Sequence, residues 1–165
     1  MRCQPILAKR SNEKHVQVSM STFYKAFTSP DERYICVVED DGRVAYAYLM
    51  LDNVVVGDLW LYNQAPATEA PQWHDPVQMP FLNPTKYVDR DTMAKPVLAD
   101  SEVKVEWAMD GNKQSATVHL FLHGIFYGKL VAGVKPGWSI AAAQNGPLAH
   151  RLGDAESIGD APWGE

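Results

Sequence analysis

Five histidines and several closely spaced carboxylates are the residues of this chain that could do chemistry. His74 and Asp75, in the run WHDP, have the composition of a general base with an orienting carboxylate. The same residues also describe a tryptophan-anchored turn ahead of Pro76. His119 and His123 are four apart, a spacing that puts two imidazoles on one face of a helix for a metal. Their surroundings, VHLFLHGIFYG, are strand-like, and on a strand that spacing leaves the rings about 13 Å apart. Asp89 and Asp91 offer oxygens to a hard cation without an evident third ligand. The sequence holds no G-x-G-x-x-G, P-loop, H-E-x-x-H, C-x-x-C or G-x-S-x-G motif. The expectation is therefore a protein that is not an enzyme, with no catalytic residue, metal site or cofactor.

The remaining chemistry is that of charge. The formal net charge is −5, unevenly spread. Residues 29–58 hold Asp31, Glu32, Glu39, Asp40, Asp41, Asp52 and Asp58 against Arg33 and Arg43, whereas residues 1–14 hold Arg2, Lys9, Arg10 and Lys14 against Glu13. An acidic surface repels phosphate backbones and steers basic proteins, so nucleic acid is a disfavoured partner and a basic protein a favoured one. Asp31, Glu32, Asp40 and Asp41 flank turns and are expected to face solvent as the partner-binding set. Trp73 and Phe81, in the loop that follows, are the candidate apolar anchors.

These residues must be positioned by strands. Residues 47–59, AYLMLDNVVVGDL, are echoed 71 positions later by VHLFLHGIFYGKL at 118–130. Leu49, Leu51, Gly57 and Leu59 match Leu120, Leu122, Gly128 and Leu130, and an Asp-Gly pair precedes each copy. Two copies suggest one duplicated unit rather than a solenoid. The first unit reads as strands near 33–39, 43–51 and 54–62, joined by two-residue turns at Asp41-Gly42 and Asp52-Asn53. That register sets Tyr48 opposite Gly57 and, in the second unit, His119 opposite Gly128. One face then carries Tyr46, Tyr48, Met50, Val55 and Leu59. The other carries Ala47, Leu49, Val54, Val56, Asp58 and Trp60. The run EVKVEWAM at 102–109 alternates cleanly and reads as an edge or half-exposed strand.

The expected fold class is α+β, mainly antiparallel sheet, built as two three-stranded meanders with one or two short helices. The reading is a single globular domain over 1–153: meander 33–62, a proline- and aromatic-rich ordered loop over 64–100, meander 102–133, and a short helix PLAHRL started by Gly146-Pro147. A short strand at 15–18 (HVQV) and a brief helix capped by Ser21 or Thr22 and running through Phe27 are expected upstream. The acidic tail 154–165 is expected to be disordered.

At 165 residues, 46% of them hydrophobic, the chain can bury a sizeable core. No apolar run approaches the roughly 20 residues of a membrane span. Ile6-Leu7-Ala8 is too short for the ~7–15-residue apolar region of a secretory signal, so a cytoplasmic location is expected. Cys3 and Cys36 do not make a disulfide framework, and Cys36, within YICVV, reads as a small buried hydrophobe.

The stretch from Val54 to Val88, with GDLWLYN leading into APQWHDP and PFLNP, resembles the immunity proteins of bacterial contact-dependent inhibition and related polymorphic-toxin systems. The resemblance implies a small cytoplasmic, non-enzymatic protein that binds and blocks a cognate toxin domain, often a nuclease. A second reading is a small-ligand or single-stranded nucleic-acid module, for which Trp60, Trp73 and Tyr127 would be stacking platforms, although strand binding also needs a basic groove.

Overall fold

The computed structural model describes residues 21–111 and 115–153. The strand expected at 15–18, Cys3 and the tail 154–165 lie outside the described residues.

Among the described residues nine strands form two sheets. Strands β1 (Phe23–Thr28), β2 (Tyr34–Asp40), β3 (Val44–Leu51) and β4 (Val54–Asn63) make a four-stranded sheet in the order β1-β2-β3-β4, every neighbour antiparallel. Strands β5 (Val103–Met109), β6 (Ala116–Leu122), β7 (Ile125–Val131), β8 (Trp138–Ser139) and β9 (His150–Arg151) make a five-stranded sheet, antiparallel except for the β8–β9 pair. The described helical structure amounts to three 3₁₀ turns, Pro76–Gln78, Thr85–Tyr87 and Asp100–Glu102. The architecture is thus mostly β rather than α+β, and each sheet extends beyond three strands. No described helix is long and apolar enough to cross a membrane.

Both expected helices are absent from the described residues. The segment FYKAFT alternates with period two, and its six residues pair along β2 from Phe23 opposite Asp40 to Thr28 opposite Ile35. Six backbone partners on a hydrophobic neighbour outweigh the capping signal of Ser21 and Thr22. After Pro147 the chain stays extended, because the Leu148 carbonyl accepts from Trp60 N (3.0 Å) and His150 donates to Gly137 O (2.8 Å).

The hairpin turns at Asp52-Asn53 and His123-Gly124 stand where expected. All four residues have positive φ (50°, 64°, 51° and 78°), as a type I′ turn requires. The β2–β3 turn is centred one residue later than expected. Asp40 faces Ala45, and Asp41 N donates to Val44 O, leaving Gly42 (φ 89°) and Arg43 as the loop.

Register within the hairpins departs from the expectation in the same way twice. Leu51 faces Val54 and Met50 faces Val55, but Leu49 then faces Gly57, leaving Val56 as an extra residue. In the second sheet Leu122 faces Ile125 and Phe121 faces Phe126, but Leu120 faces Gly128, leaving Tyr127 extra. Each is a β-bulge, and the two sit 71 positions apart. Tyr48 is therefore opposite Asp58, and His119 opposite Lys129, rather than opposite the glycines. The bulge carries Asp58 and Trp60 to the face of Tyr46 and Tyr48, and Leu59 to the face of Ala47 and Leu49.

The glycines serve a different contact. A Cβ on Gly57 would stand 3.8 Å from Leu130 Cδ2, and one on Gly128 would stand 2.7 Å from Leu59 Cδ2. Leu59 and Leu130 are themselves equivalent positions, so the two hairpins meet reciprocally, each placing its leucine over the other's glycine. One cluster of buried side chains spans this crossing, including Cys36, Val38, Ala47, Leu49, Leu59, Val118, Leu120 and Leu130. Cys36 is free, and burial pushes its thiol up to about 12, far from a reactive thiolate. Backbone bonds seal the outer edge of β4, with Gly133 N on Val56 O (2.8 Å) and Gly137 N on Asp58 O (2.7 Å).

The segment 64–100 links the sheets as an ordered loop bonded to both. Asn63 Nδ2 donates to Asn83 O and Asn83 N to Asn63 Oδ1, while Ala94 N donates to Tyr127 Oη and Asp89 N to Ala141 O. Val103–Met109 is the edge strand expected of its alternating pattern.

His119 is almost fully buried against Phe126 (ring centroids 5.2 Å apart), with Glu106 and Lys129 on the flanking strands. Burial first, and then Lys129 against the opposing pull of Glu106, lowers its pKa to about 4. An imidazole that stays neutral in the fold is charged in the unfolded chain below about pH 6.5. Between about pH 6.5 and 4 the unfolded state binds more protons, so stability falls as pH falls through that window and levels off below it. Replacing His119 by Phe is expected to hold neutral-pH stability within about 1.5 kcal/mol, as for shape-conserving swaps. It should also flatten that acid limb, as urea melts at pH 7 and pH 4.5 will show.

Candidate partner-binding face

The outer face of the first sheet is set by pairing. Reading across the strands, Tyr24, Glu39, Tyr46 and Trp60 form one row, and Ala26, Val37, Tyr48 and Asp58 the next. Trp60 is covered, but the face leaves Tyr24 65% exposed and Ile35 37% exposed. The rings of Tyr46 and Tyr48 are nearly parallel, 11° between planes and 5.8 Å between centroids. Two segments rise on either side of them. Residues 78–81 are held down by Arg43, whose guanidinium donates to the carbonyls of Gln78 and Pro80, and by the Tyr46 hydroxyl, which donates to Phe81 O. Pro147 and Leu148 form the opposite wall, fixed by the Trp60–Leu148 backbone bond. The groove between encloses about 200 Å³ and is lined by Tyr46, Tyr48, Asp58, Met79, Phe81 and Leu148, among others.

Carboxylates surround this aromatic floor. A neighbouring depression over the same tyrosines is lined by Glu39 and Asp41. Burial chiefly, then the charges of Glu39, Asp58 and Asp41, pushes the Tyr48 hydroxyl up to about 12. Burial likewise raises the Asp58 carboxyl pKa, and the Lys135 ammonium only partly offsets it. The Asp58 carboxylate makes no hydrogen bond or ion pair with another described residue. A half-buried carboxylate that Lys135 only partly compensates, beside two aromatic rings, favours a further cation.

The residues nominated from sequence are divided by the fold. Asp41 lies on the rim, its Oδ1 accepting from Arg43 N (2.8 Å) and Val44 N (2.9 Å). Phe81 lines the groove and anchors its segment through its carbonyl. Asp31 and Glu32 sit at the far end of β2, a seven-residue strand and so roughly 23 Å away. Asp31 is engaged locally, accepting from Ser29 Oγ (2.6 Å) and Arg33 N (3.2 Å), and the Ser29 bond holds its carboxyl below the usual range.

Asp40 does not face solvent. It is 1% exposed and turned inward, accepting from Gly42 N (2.9 Å), Tyr62 Oη (2.6 Å) and Gln64 Nε2 (2.6 Å). Asp40 ends β2 with its carboxylate in the interior, whereas Asp41 opens the turn and is exposed, so the two do not belong to one surface. Trp73 is not among the groove-lining residues either. It docks edge-on against Tyr87 within its own loop, 5.4 Å between centroids.

Tyr46, Tyr48 and Asp58 were not nominated from sequence. The i,i+2 tyrosines and a lone acid in an apolar strand are visible signals, but the bulge at Val56 is what brings Asp58 to their face. The other chemical candidates are accounted for structurally. Asp75 Oδ1 accepts from Val77 N and caps the 3₁₀ turn rather than orienting His74. Asp89 Oδ1 accepts from Asp91 N, and His123 Nε2 bonds to Lys95 O. Among the described residues no three His, Cys, Asp or Glu side chains gather as a metal site.

No protein-family model, curated protein or solved structure matches this chain.

Proposed function

We propose that this chain is a cytoplasmic immunity-type protein, which neutralises a cognate toxin domain by holding a basic surface of it on the outer face of the first sheet. The observation that carries this reading is the groove over Tyr46 and Tyr48, with Asp58 inside it and Glu39 and Asp41 on its rim. A nuclease must be basic where it meets phosphate, and an acidic, rigid, aromatic face can occupy that surface and exclude substrate. The rim charges would chiefly accelerate encounter, and the tyrosines, Phe81 and Met79 would slow dissociation once water is excluded. Met79 is 62% exposed, as an anchor awaiting a partner would be.

We further read the two hairpins as copies of one unit whose outer faces have diverged. Tyr48 and Asp58 of the first correspond to His119 and Lys129 of the second, so only the first face retains the acid and tyrosine set.

Co-expression with the toxin domain encoded next to this chain tests the function through growth rescue. Reversing Glu39 and Asp41 together to Lys is expected to slow association about tenfold at low salt, with a much smaller change in the dissociation rate, by stopped-flow or surface-based kinetics. Full rescue and unchanged kinetics in that variant would move the interface elsewhere. Failure to bind any basic nuclease domain would sink the inhibitor reading.

A further inference from the structure

We infer that the groove over Tyr46 and Tyr48 is a receptor for a single arginine side chain of the partner, its guanidinium set against the tyrosine rings and its N–H groups directed to Asp58. This rests on the reading of the face as a site for a basic protein and specifies the group that it recognises. Three features select that group. First, the floor is aromatic, and guanidinium stacks on such rings whereas a compact ammonium, more strongly hydrated, gives up more on leaving water. Second, the rest of the lining is apolar, supplied by Met79, Pro80, Phe81, Pro147 and Leu148, so the bound head loses much of its water. Third, Asp58 stands directly opposite Tyr48 across the β3–β4 pair and its carboxylate accepts no hydrogen bond from a described residue, Lys135 acting on it only through its charge, which leaves its oxygens for a forked donor. Glu39 and Asp41, at the neighbouring depression, supply the field that guides the cation in without contacting it.

The walls are fixed from within the chain. Arg43 spends its guanidinium on the carbonyls of Gln78 and Pro80, and Tyr46 its hydroxyl on Phe81 O, so the slot stands open without rearrangement of the sheet. A preformed slot binds one planar group at little ordering cost, which fits an anchor that docks first.

The test is a titration of the full chain with N-acetyl-arginine methylamide, followed by amide chemical shifts, beside the citrulline and lysine counterparts. The arginine compound is expected to shift the amides of Tyr46–Tyr48, Asp58, Phe81 and Leu148. The lysine compound should bind at least about fivefold more weakly, and the uncharged citrulline compound should give no saturable shift. Asp58→Asn and Tyr48→Leu should each cut arginine affinity about tenfold or more while thermal melts show the fold intact. Shifts mapping elsewhere, equal response to citrulline, or indifference to Asp58→Asn would overturn the proposal. The two readings fail separately. If Glu39 and Asp41 reversal slows binding of the toxin domain but Asp58→Asn leaves its affinity unchanged, the arginine slot falls and the acidic interface stands. If arginine binds as described and no basic protein does, the slot stands and the immunity reading falls.

Discussion

Replacing Asp40 by Ala is expected to destabilise the protein by about 3–5 kcal/mol, and replacing it by Lys by at least as much. Its carboxylate satisfies the Gly42 amide, the Tyr62 hydroxyl and the Gln64 amide in the interior. Truncation leaves the buried Gly42 amide and Tyr62 hydroxyl without an acceptor, at roughly 1–3 kcal/mol each before relaxation, while the part-buried Gln64 amide keeps its bond to Ser21 O. The damage extends past β2, because the Tyr62 hydroxyl that donates to Asp40 also accepts from Val97 N and so fixes the end of the 64–100 loop. Urea melts of Asp40→Ala, Tyr62→Phe and the double variant should show strong coupling, the double costing well under the sum. The neighbouring Asp41→Ala should cost about 1 kcal/mol or less, since Asp41 is exposed, caps its turn and makes only a long ion pair with Arg43 (3.9 Å). Equal effects at 40 and 41 would contradict the inward orientation of Asp40.

The equivalent glycines should respond unequally. Gly128→Ala is expected to cost about 2–3 kcal/mol, in the upper part of the overpacking range. Its new Cβ would lie 2.7 Å from Leu59 Cδ2 and 2.7 Å from the Trp138 carbonyl oxygen, and the second of these is backbone held by the β7–β8 pairing. At Gly57 the nearest atoms are Leu49 Cβ at 3.2 Å and Val131 O at 3.5 Å, so shifts of a few tenths of an ångström suffice. Gly57→Ala should change stability by about 1 kcal/mol or less, because the reduced freedom of the unfolded chain offsets part of the crowding. Differential scanning calorimetry of the two variants decides it. A loss at Gly57 as large as that at Gly128 would mean that the sheets are pressed together evenly along the crossing.

Local rules made the turns legible and tertiary contacts hid the bulges. Asp52-Asn53 and His123-Gly124 are pairs that tolerate positive φ, and both turns form there. Nothing in VVVG or FYG marks one residue as extra, and the leucine that packs over each neighbouring glycine comes from the other hairpin, far away in sequence. That single residue decides the surface, since downstream of it Asp58 exchanges faces with Leu59. The segment FYKAFT is too short for its period to compete with a serine or threonine cap and a following proline, and only its pairing with β2 resolves it. Asp40 looked like a turn residue because the Asp-Asp-Gly triplet does. Its partners, Tyr62 and Gln64, stand more than twenty positions away and leave no mark on the local pattern. Phe81, nominated by type, does line the groove, whereas Trp73, of the same type, finds Tyr87 first.

The reciprocal leucine-over-glycine crossing makes each hairpin a fitting partner for its twin, whichever molecule supplies it. A second copy can therefore donate its β5–β9 sheet to the first sheet of its neighbour, with the 64–100 segment as the connection that opens. Such exchange is closed by two-fold symmetry and stops at a dimer. Each half would contain every contact of the monomer, so the exchanged form would be separated from it by a kinetic barrier more than by energy. It would also display two acidic faces on one particle, so that a partner with two basic surfaces would meet it with an avidity set by the spacing of the two halves.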